Sequence, residues 1–553
     1  MEESMRNLLK VSLLLLFPVL ISGQTRTITD ASIPVGSNVT FYSDTTYILS
    51  GMVFVDSAAT LTIQAGTLIK AEDGQDTEAS GLVVTRHAKI FAEGKADNPI
   101  IFTSINDDGS LDYTDRGEWG GVVLLGLAPT NNSTQLAVEG VNEIDPVRAL
   151  YGGDDPNHSS GVFKYVSIRY SGINVGSSTG NEIQGLTLGA VGAGTVVEYV
   201  ESYASGDDGF EFFGGTVNTN HLVSAFCSDD AFDTDQGFNG KNQFWFALQS
   251  PDKGGRLAEM DGAGGNEQGT PFGTPSFANV TYIGAGIGAT PEGDGEQALI
   301  FRDNAGGYFY NSIVTEYDDA STSLGITVED IDNTGDKVED SMKRLEAGQL
   351  ICANNIWYDF GAGNTVAEFA PQTAVAEMLN ANNNMAVDPM LRGISRTTDG
   401  GLDPRPKSGS PALNNANVKI LGDGFVQTNY VGAFGTENWL KGWTALDQLG
   451  YVGDLSSAVK TDVTIPEELA LEQNYPNPFN PSTSIAFTLK EAGQVKLTIY
   501  NAVGQTVATL VNGYREAGAH KVVWHAENVS TGVFFYRLET AGHVMTKKMV
   551  YMR

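Results

Sequence analysis

Seven acidic side chains fall within one short stretch, Asp207, Asp208, Glu211, Asp229, Asp230, Asp233 and Asp235. Their spacing matters more than their number. Shifting the first group by 22 residues lays Asp207-Asp208 on Asp229-Asp230 and Glu211 on Asp233. If the shift is one coil of a stacked backbone, Asp207 and Asp229 lie ~4.8 Å apart, the spacing of neighbouring strands. Two unit charges at that distance repel by about 0.9 kcal/mol in water and about 3.5 kcal/mol at an effective dielectric of about 20. Solvent, raised pKa values or a bound cation can relieve the strain, and calcium is the hard, oxygen-seeking candidate. A candidate calcium set is Asp229, Asp230, Asp233 and Asp235; the run Asp233 to Gly237 echoes a calcium loop but lacks its third acid and its downstream bidentate Glu. Solvated corner acids need no ligand and are the commoner case. A third chemistry is catalysis: Asp207, Asp208 and Asp230 could supply a general acid and base for glycoside cleavage. A lyase would need a basic residue beside calcium, and Arg302, directly before Asp303, is a candidate.

The same shift extends into the flanking residues. It places Tyr199-Val200 on His221-Leu222, Ser202 on Ser224, Phe210 on Phe232 and Gly215 on Gly237. The run from Lys164 to Gly172 aligns with Glu198 to Gly206 at 34 residues, one coil with a longer loop. A weaker echo runs from Tyr310 to Asp319. From about Thr25 to Phe434 the chain reads as short β runs broken by Gly, Asn and Asp, including Thr60 to Ile63, Gly81 to Val84, Ala88 to Ala92 and Val122 to Leu125. Short strands with frequent turns suit a sandwich or a solenoid. A repeat in the low twenties decides for the solenoid, since each coil must stack on its neighbours to bury its inward face. Apolar residues at helical intervals predict short helices on excursions over 340–350 and 370–380. The stretch 438–449, with Trp439, Leu440, Trp443 and Leu446, reads as a helical plug for the open end.

Composition bounds the partners. Of 553 residues, 41% are hydrophobic, enough for a large core, and 18% are charged, too few for a disordered polyelectrolyte. The net charge is −34. From Glu472 onward eight basic residues face five acidic ones, so this end carries +3 and the rest −37. A body this acidic repels nucleic acid and anionic membranes. Arg6 and Lys10 precede an apolar run from Val11 to Ile21, then Ser22 and Gly23, which reads as a cleavable export signal over 1–23. That run is short of the ~20 residues a bilayer span needs, and no other segment reads as apolar enough to cross a membrane. Cys227 and Cys352 stand far apart in apolar runs and read as two separate buried thiols. Trp119, Phe210, Phe212, Phe213, Trp245 and Phe246 could stack on sugar rings, although inward packing is the commoner fate of such residues.

A different unit begins near Leu471. Asn474-Tyr-Pro-Asn-Pro-Phe-Asn-Pro481 excludes helix and central strand, and six or seven alternating strands follow, among them Ser484 to Leu489, Val495 to Tyr500, His520 to Trp524 and Gly532 to Leu538. With Gly504-Gln505 and the basic tail Thr546 to Val550, these motifs closely resemble the type A sorting domain of the type IX secretion pathway of Gram-negative bacteria. The resemblance implies translocation of a folded cargo, contact with the type IX machinery, and in many members removal of the tag and attachment to surface lipopolysaccharide. The body resembles exported right-handed β-helix proteins found with such tags, in Leu61 to Lys70, Ala88 to Gly94, Pro99 to Ser104, and Gly432 to Phe434 with Trp439 and Trp443. That group has no single established activity. Gly206-Asp207-Asp208 also matches the paired-acid motif of pectin-cleaving β-helix hydrolases, but their Gly-His-Gly is absent and Asn218-Thr-Asn220 stands where Asn-Thr-Asp belongs.

The expected architecture is therefore all-β: a signal peptide (1–23), a right-handed parallel β-helix (24–435), a helical cap and linker (436–469) and a small antiparallel Ig-like β-sandwich, the sorting domain (470–553). The expected product is secreted or attached to the outer surface of a Gram-negative cell. It would be adhesive, structural or a binder of extracellular glycans, with a polysaccharide lyase or glycoside hydrolase as the alternative. Asp207, Asp208, Glu211, Asp229, Asp230, Asp233 and Asp235 are the expected ligand or cation residues.

Overall fold

A computed structural model describes residues 24–552, apart from 133–135, 176–179, 264–265, 294, 318–321, 332–339, 454–468, 472, 475, 491–492, 516–517, 527–528 and 541. The export signal and most of the expected linker lie outside the described residues. The chain divides into two compact units, Met1–Val452 and Gly453–Arg553.

The first unit is a right-handed parallel β-helix. One wall is a nine-stranded parallel sheet, in which Met52–Val55, Gly81–Val84, Val122–Leu125, Leu186–Gly189, Phe210–Phe213, Phe232–Asp235, Ala258–Asp261, Gln297–Arg302 and Leu324–Val328 follow one another. The remaining walls form a nineteen-stranded sheet bent once in each coil. The 22-residue shift is the register itself: Phe210 pairs with Phe232, Glu211 with Asp233, Val200 with Leu222 and Ser202 with Ser224. The 34-residue offset likewise pairs Lys164 with Glu198 and Val166 with Val200.

At the bend the backbone takes a left-handed turn, with φ of 49° at Tyr165, 54° at Tyr199, 54° at His221, 59° at Phe244, 52° at Asn279, 51° at Asn311 and 60° at Asn354. Each such non-glycine residue costs about 1–2 kcal/mol. Lateral stacking offsets that cost: Tyr165 stacks on Tyr199 at 4.3 Å, and Tyr199 on His221 at 4.2 Å.

Inside, Leu186, Phe210 and Phe232 line up in register and are fully buried, with Phe232 on Trp245 at 4.3 Å. Trp119, Phe210, Phe212, Phe213, Trp245 and Phe246 are all at least 94% buried, so none displays a ring to a sugar. Trp119, Phe210, Phe212 and Trp245 fill the interior, whereas Phe213 and Phe246 are buried in clusters on the outer faces; burying one such side chain contributes about 1.5–3 kcal/mol. Cys227 and Cys352 are buried free thiols.

Helices form within both predicted stretches, Ser341–Glu346 and Thr373–Ala381, the second preceded by Val366–Phe369. They cover the C-terminal end of the solenoid: Phe369, Val375 and Leu379 are fully buried in the main core. Gln372 pins the longer helix to the last strand of the nine-stranded sheet by accepting from the Val328 amide at 2.8 Å. The expected plug over 438–449 is not an end cap. Helix is confined there to Ala445–Gln448, because Gly442 has φ of 91° and its Cβ position would lie 2.4 Å from the Ala96 carbonyl.

This region belongs to a strap that runs back along the outside of the long sheet. The bend residues dock it in turn: Asn354 Nδ2 donates to the Asn417 carbonyl at 3.0 Å, Asn311 Nδ2 to that of Lys419 at 2.9 Å, and Asn279 Nδ2 to that of Tyr430 at 3.0 Å. Trp439 then meets His221 edge-on at 4.9 Å, and Trp443 meets Tyr165 and Tyr199 at 5.9 and 6.0 Å. Glu201 accepts from the Ala445 amide at 2.5 Å and anchors the strap's helix.

The second unit is antiparallel, with a three-stranded sheet including Ser482–Leu489 and Gly518–His525 and a four-stranded sheet of Gly493–Asn501, Thr506–Arg515, Gly532–Thr540 and His543–Tyr551. Its core holds Leu471, Ile485, Leu497, Trp524 and Tyr536. Asn474 ties the proline-dense segment to it: its side-chain Nδ2 donates to Thr483 Oγ1 at 2.9 Å, and its backbone amide donates to the Tyr536 hydroxyl at 2.9 Å. Among the described residues no helix is long and apolar enough to cross a membrane.

Candidate functional site

The acids converge on the outer face of the nine-stranded sheet and on the turns that enter it. Pleating sends alternate residues outward, so register builds one row from Thr187, Glu211, Asp233 and Glu259, and a second from Gly189, Phe213, Asp235, Asp261 and Arg302. The turns place Asp207-Asp208 beside Asp229-Asp230. Gly209 follows the first pair because its Cβ position would lie 2.2 Å from Ser224 Oγ.

Asp208 accepts from the Asp230 amide at 2.9 Å, and Asp230 in turn from the Arg256 amide, so each acid holds the next coil's turn. Carboxylate oxygens of Asp207, Asp208 and Asp229 lie within 4.8 Å of one another. Together with Glu211, Asp230, Asp233 and Glu259 they line a cavity of about 300 Å³, to which Glu139, Glu182 and Gln184 contribute from flanking segments.

Two guanidinium groups compensate part of this charge. Arg256 pairs with Glu259 at 2.8 Å and with Asp230 at 3.7 Å; Arg302 pairs with Glu259 at 3.0 Å and Asp261 at 2.7 Å. Glu211 Oε2 and Asp233 Oδ1 are buried and have no hydrogen-bond partner. Burial, then the nearby Asp229, pushes Asp207 up to about 8. Burial raises Asp208, Glu211, Asp230 and Asp233 well above the usual carboxylate range, reinforced respectively by Asp207, Glu139, Glu259 and Asp261. Burial lifts Glu139 to about 7, against a hydrogen bond from Gln184 at 2.9 Å. The donors are oxygens on a partly closed face, which fits a hard cation such as calcium.

Six of the seven acids singled out from sequence line this cavity; Asp235 lies on the adjoining outward row. The echo of a calcium loop over 233–237 is not a loop, since Phe232–Asp235 is a strand. The close trio is instead Asp207, Asp208 and Asp229. Arg302 is committed to two carboxylates and is not a free base. His221 and Asn220 belong to the long sheet, and His221 Nδ1 lies 2.8 Å from Asn220 Oδ1. Sequence reasoning missed Glu139, Glu182, Arg256 and Glu259; Glu259 follows Asp233 by 26 residues, a spacing that a search at 22 passes over.

A family model described as a pectate-lyase like beta helix domain matches residues 34–390. The chain belongs to that family. Family membership accords with the parallel coils and leaves the chemistry of the acidic face to be argued from its own residues. The model of a secretion system C-terminal sorting domain matches residues 473–552. The protein is thus a secreted or cell-surface β-helix protein of a Gram-negative bacterium, and its tail engages the type IX secretion machinery. No curated protein matches the chain. Among solved structures, the enzymatically active domain of tailspike protein 2 of Bacteriophage CBA120 aligns over 96% of this chain and 72% of its own, at 10% identity and a TM-score of 0.26, a likeness too loose to carry weight.

Proposed function

We propose that the protein is a non-catalytic glycan-binding component of the cell surface, and that its acidic face takes up calcium. The sorting domain would leave it attached to lipopolysaccharide, with the solenoid presented to extracellular polysaccharide. Asp207, Asp208 and Asp229 would hold the ion, with Glu211, Asp230, Asp233 and Asp235 lining or flanking the site. Calcium would offer hydroxyl- or carboxylate-bearing sugars a positive ligand on a face that otherwise repels anions. The carrying observation is the pair of buried oxygens without partners, Glu211 Oε2 and Asp233 Oδ1. An orphaned buried acceptor costs about 1–3 kcal/mol, more when charged, and an added cation removes that cost. Commitment of Arg302 to two carboxylates weighs against a lyase.

The test is a glycan array and a degradation assay on the full chain, each in calcium and in EDTA. Calcium-dependent retention without turnover is expected. New reducing ends or unsaturated products, abolished by Asp208→Asn and Asp230→Asn, would overturn the non-catalytic reading.

A further inference from the structure

A second cavity, of about 330 Å³, opens where the strap arches over the bend of the long sheet. Tyr165, Tyr199, Trp439 and Trp443 contribute rings to its lining, and Glu437 and Lys441 contribute charge. We infer that this pocket binds a ring of an uncharged saccharide, independently of calcium and of the acidic face.

The site is built by the fold rather than left over from it. Three coils deliver Tyr165, Tyr199 and His221 to one left-handed bend, stacked at 4.3 and 4.2 Å with interplanar angles of 17° and 8°. Trp443 stands at 82° and 83° to the two tyrosines, and Trp439 at 90° to His221. Phe434 covers one face of Trp439 at 4.8 Å and fixes its plane. Trp443 is fully buried and closes the floor, while the half-buried Trp439 crosses His221 near a right angle beside the half-buried Tyr165 and Tyr199, an aromatic corner suited to the C–H face of a pyranose. The volume is at the small end of the ~300–1,000 Å³ typical of ligand pockets, room for a short ligand rather than a protein loop.

The polar groups narrow the ligand class. One carboxylate and one ammonium line the pocket, so its formal charge balances. Burial holds His221 down at about 4, which keeps its imidazole neutral at physiological pH. A balanced rim of acceptor and donor suits hydroxyl groups, each of which both donates and accepts. A polyanion would meet Glu437, and a quaternary ammonium would meet Lys441. The contrast with the acidic face is one of chemistry, because that face can hold anionic groups only through a cation.

Isothermal titration of the full chain with cello-, malto-, manno- and galacto-oligosaccharides in excess EDTA tests the inference. At least one series should bind, and Glu437→Ala should weaken it about tenfold with an unchanged unfolding midpoint. Trp439→Phe keeps a ring against Phe434 and should weaken binding less than Trp439→Ala. Absence of binding by all four series, binding that requires calcium, or binding indifferent to Glu437→Ala would each overturn it. EDTA separates this outcome from the fate of the calcium reading.

Discussion

Raising the pH from 6.5 to 8 in EDTA should destabilise the protein, and calcium should reverse the loss. A carboxyl whose folded pKa exceeds its unfolded value holds a proton that the unfolded chain has already released. Folded chains then bind more protons, so unfolding free energy falls as pH rises, until the folded pKa is passed. For Asp207 that window runs from 3.8 to about 8. At 1.36 kcal/mol per unit, the 1.5 units from pH 6.5 to 8 are worth about 2 kcal/mol for this one group. Glu139, at about 7, adds over the lower part of the interval. The lower bound is chosen for His221, whose folded value near 4 makes stability rise with pH up to its unfolded value of 6.5 and no further. Equilibrium urea unfolding of the full chain, followed by far-UV circular dichroism, measures the change. Calcium at a hundredfold excess over its dissociation constant should restore about 2.7 kcal/mol. Asp233→Asn should flatten the pH slope, because it removes the charge between Glu211 and Glu259. Stability that holds level or rises across this interval in EDTA, or that ignores calcium at pH 8, would refute the account of the acidic face.

Other perturbations probe the elements that hold the two faces. Trp245→Ala empties the aromatic stack on Phe232 and should cost about 3–5 kcal/mol in denaturant unfolding. Asn311→Ala removes both hydrogen bonds to Lys419, worth about 1–3 kcal/mol, and limited proteolysis should then cut the strap sooner. Glu201→Ala leaves the Ala445 and Leu446 amides without their acceptor; hydrogen exchange should quicken over 440–452 while the solenoid strands keep their protection.

The sequence made the coil register legible because one repeat unit happened to recur without insertion: Phe210 and Phe232, Glu211 and Asp233 are neighbours at a constant 22. Where loop lengths vary, the same stacking is invisible. Asp233 and Glu259 are just as adjacent, yet 26 residues separate them, and Glu139 reaches the cavity from a segment with no repeat at all. The direction of the aromatics was hidden for another reason. A left-handed bend inside a strand breaks the alternation that assigns one residue inward and the next outward, so Tyr199 and Phe210 look alike in sequence but belong to different cores. Helical spacing over 438–449 marked an apolar face without saying which surface would receive it, and Gly442 turned the chain along the flank.

Stacking parallel coils repeats any local choice at strand spacing, so both good and bad choices accumulate along a wall. On the bend the repeated choice is favourable: rings stack on rings, then asparagines succeed them where the strap offers backbone carbonyls instead of tryptophans. On the nine-stranded sheet the repeated choice is unfavourable. Adjacent coils place Glu211 next to Asp233 and Asp233 next to Glu259, each contact costing about 3.5 kcal/mol at an effective dielectric of about 20 if both are ionised. Phenylalanine and valine fill the same row in the earlier coils, at Phe54, Val83 and Val123, where they are buried in an outer apolar cluster. The wall therefore has a packed solution available and abandons it over three successive coils, in the same place where the turns also become acidic. Arg256 and Arg302 compensate Glu259, but Glu211 Oε2 and Asp233 Oδ1 are left without a hydrogen-bond partner, and a cation held between the coils would turn that repulsion into a binding site.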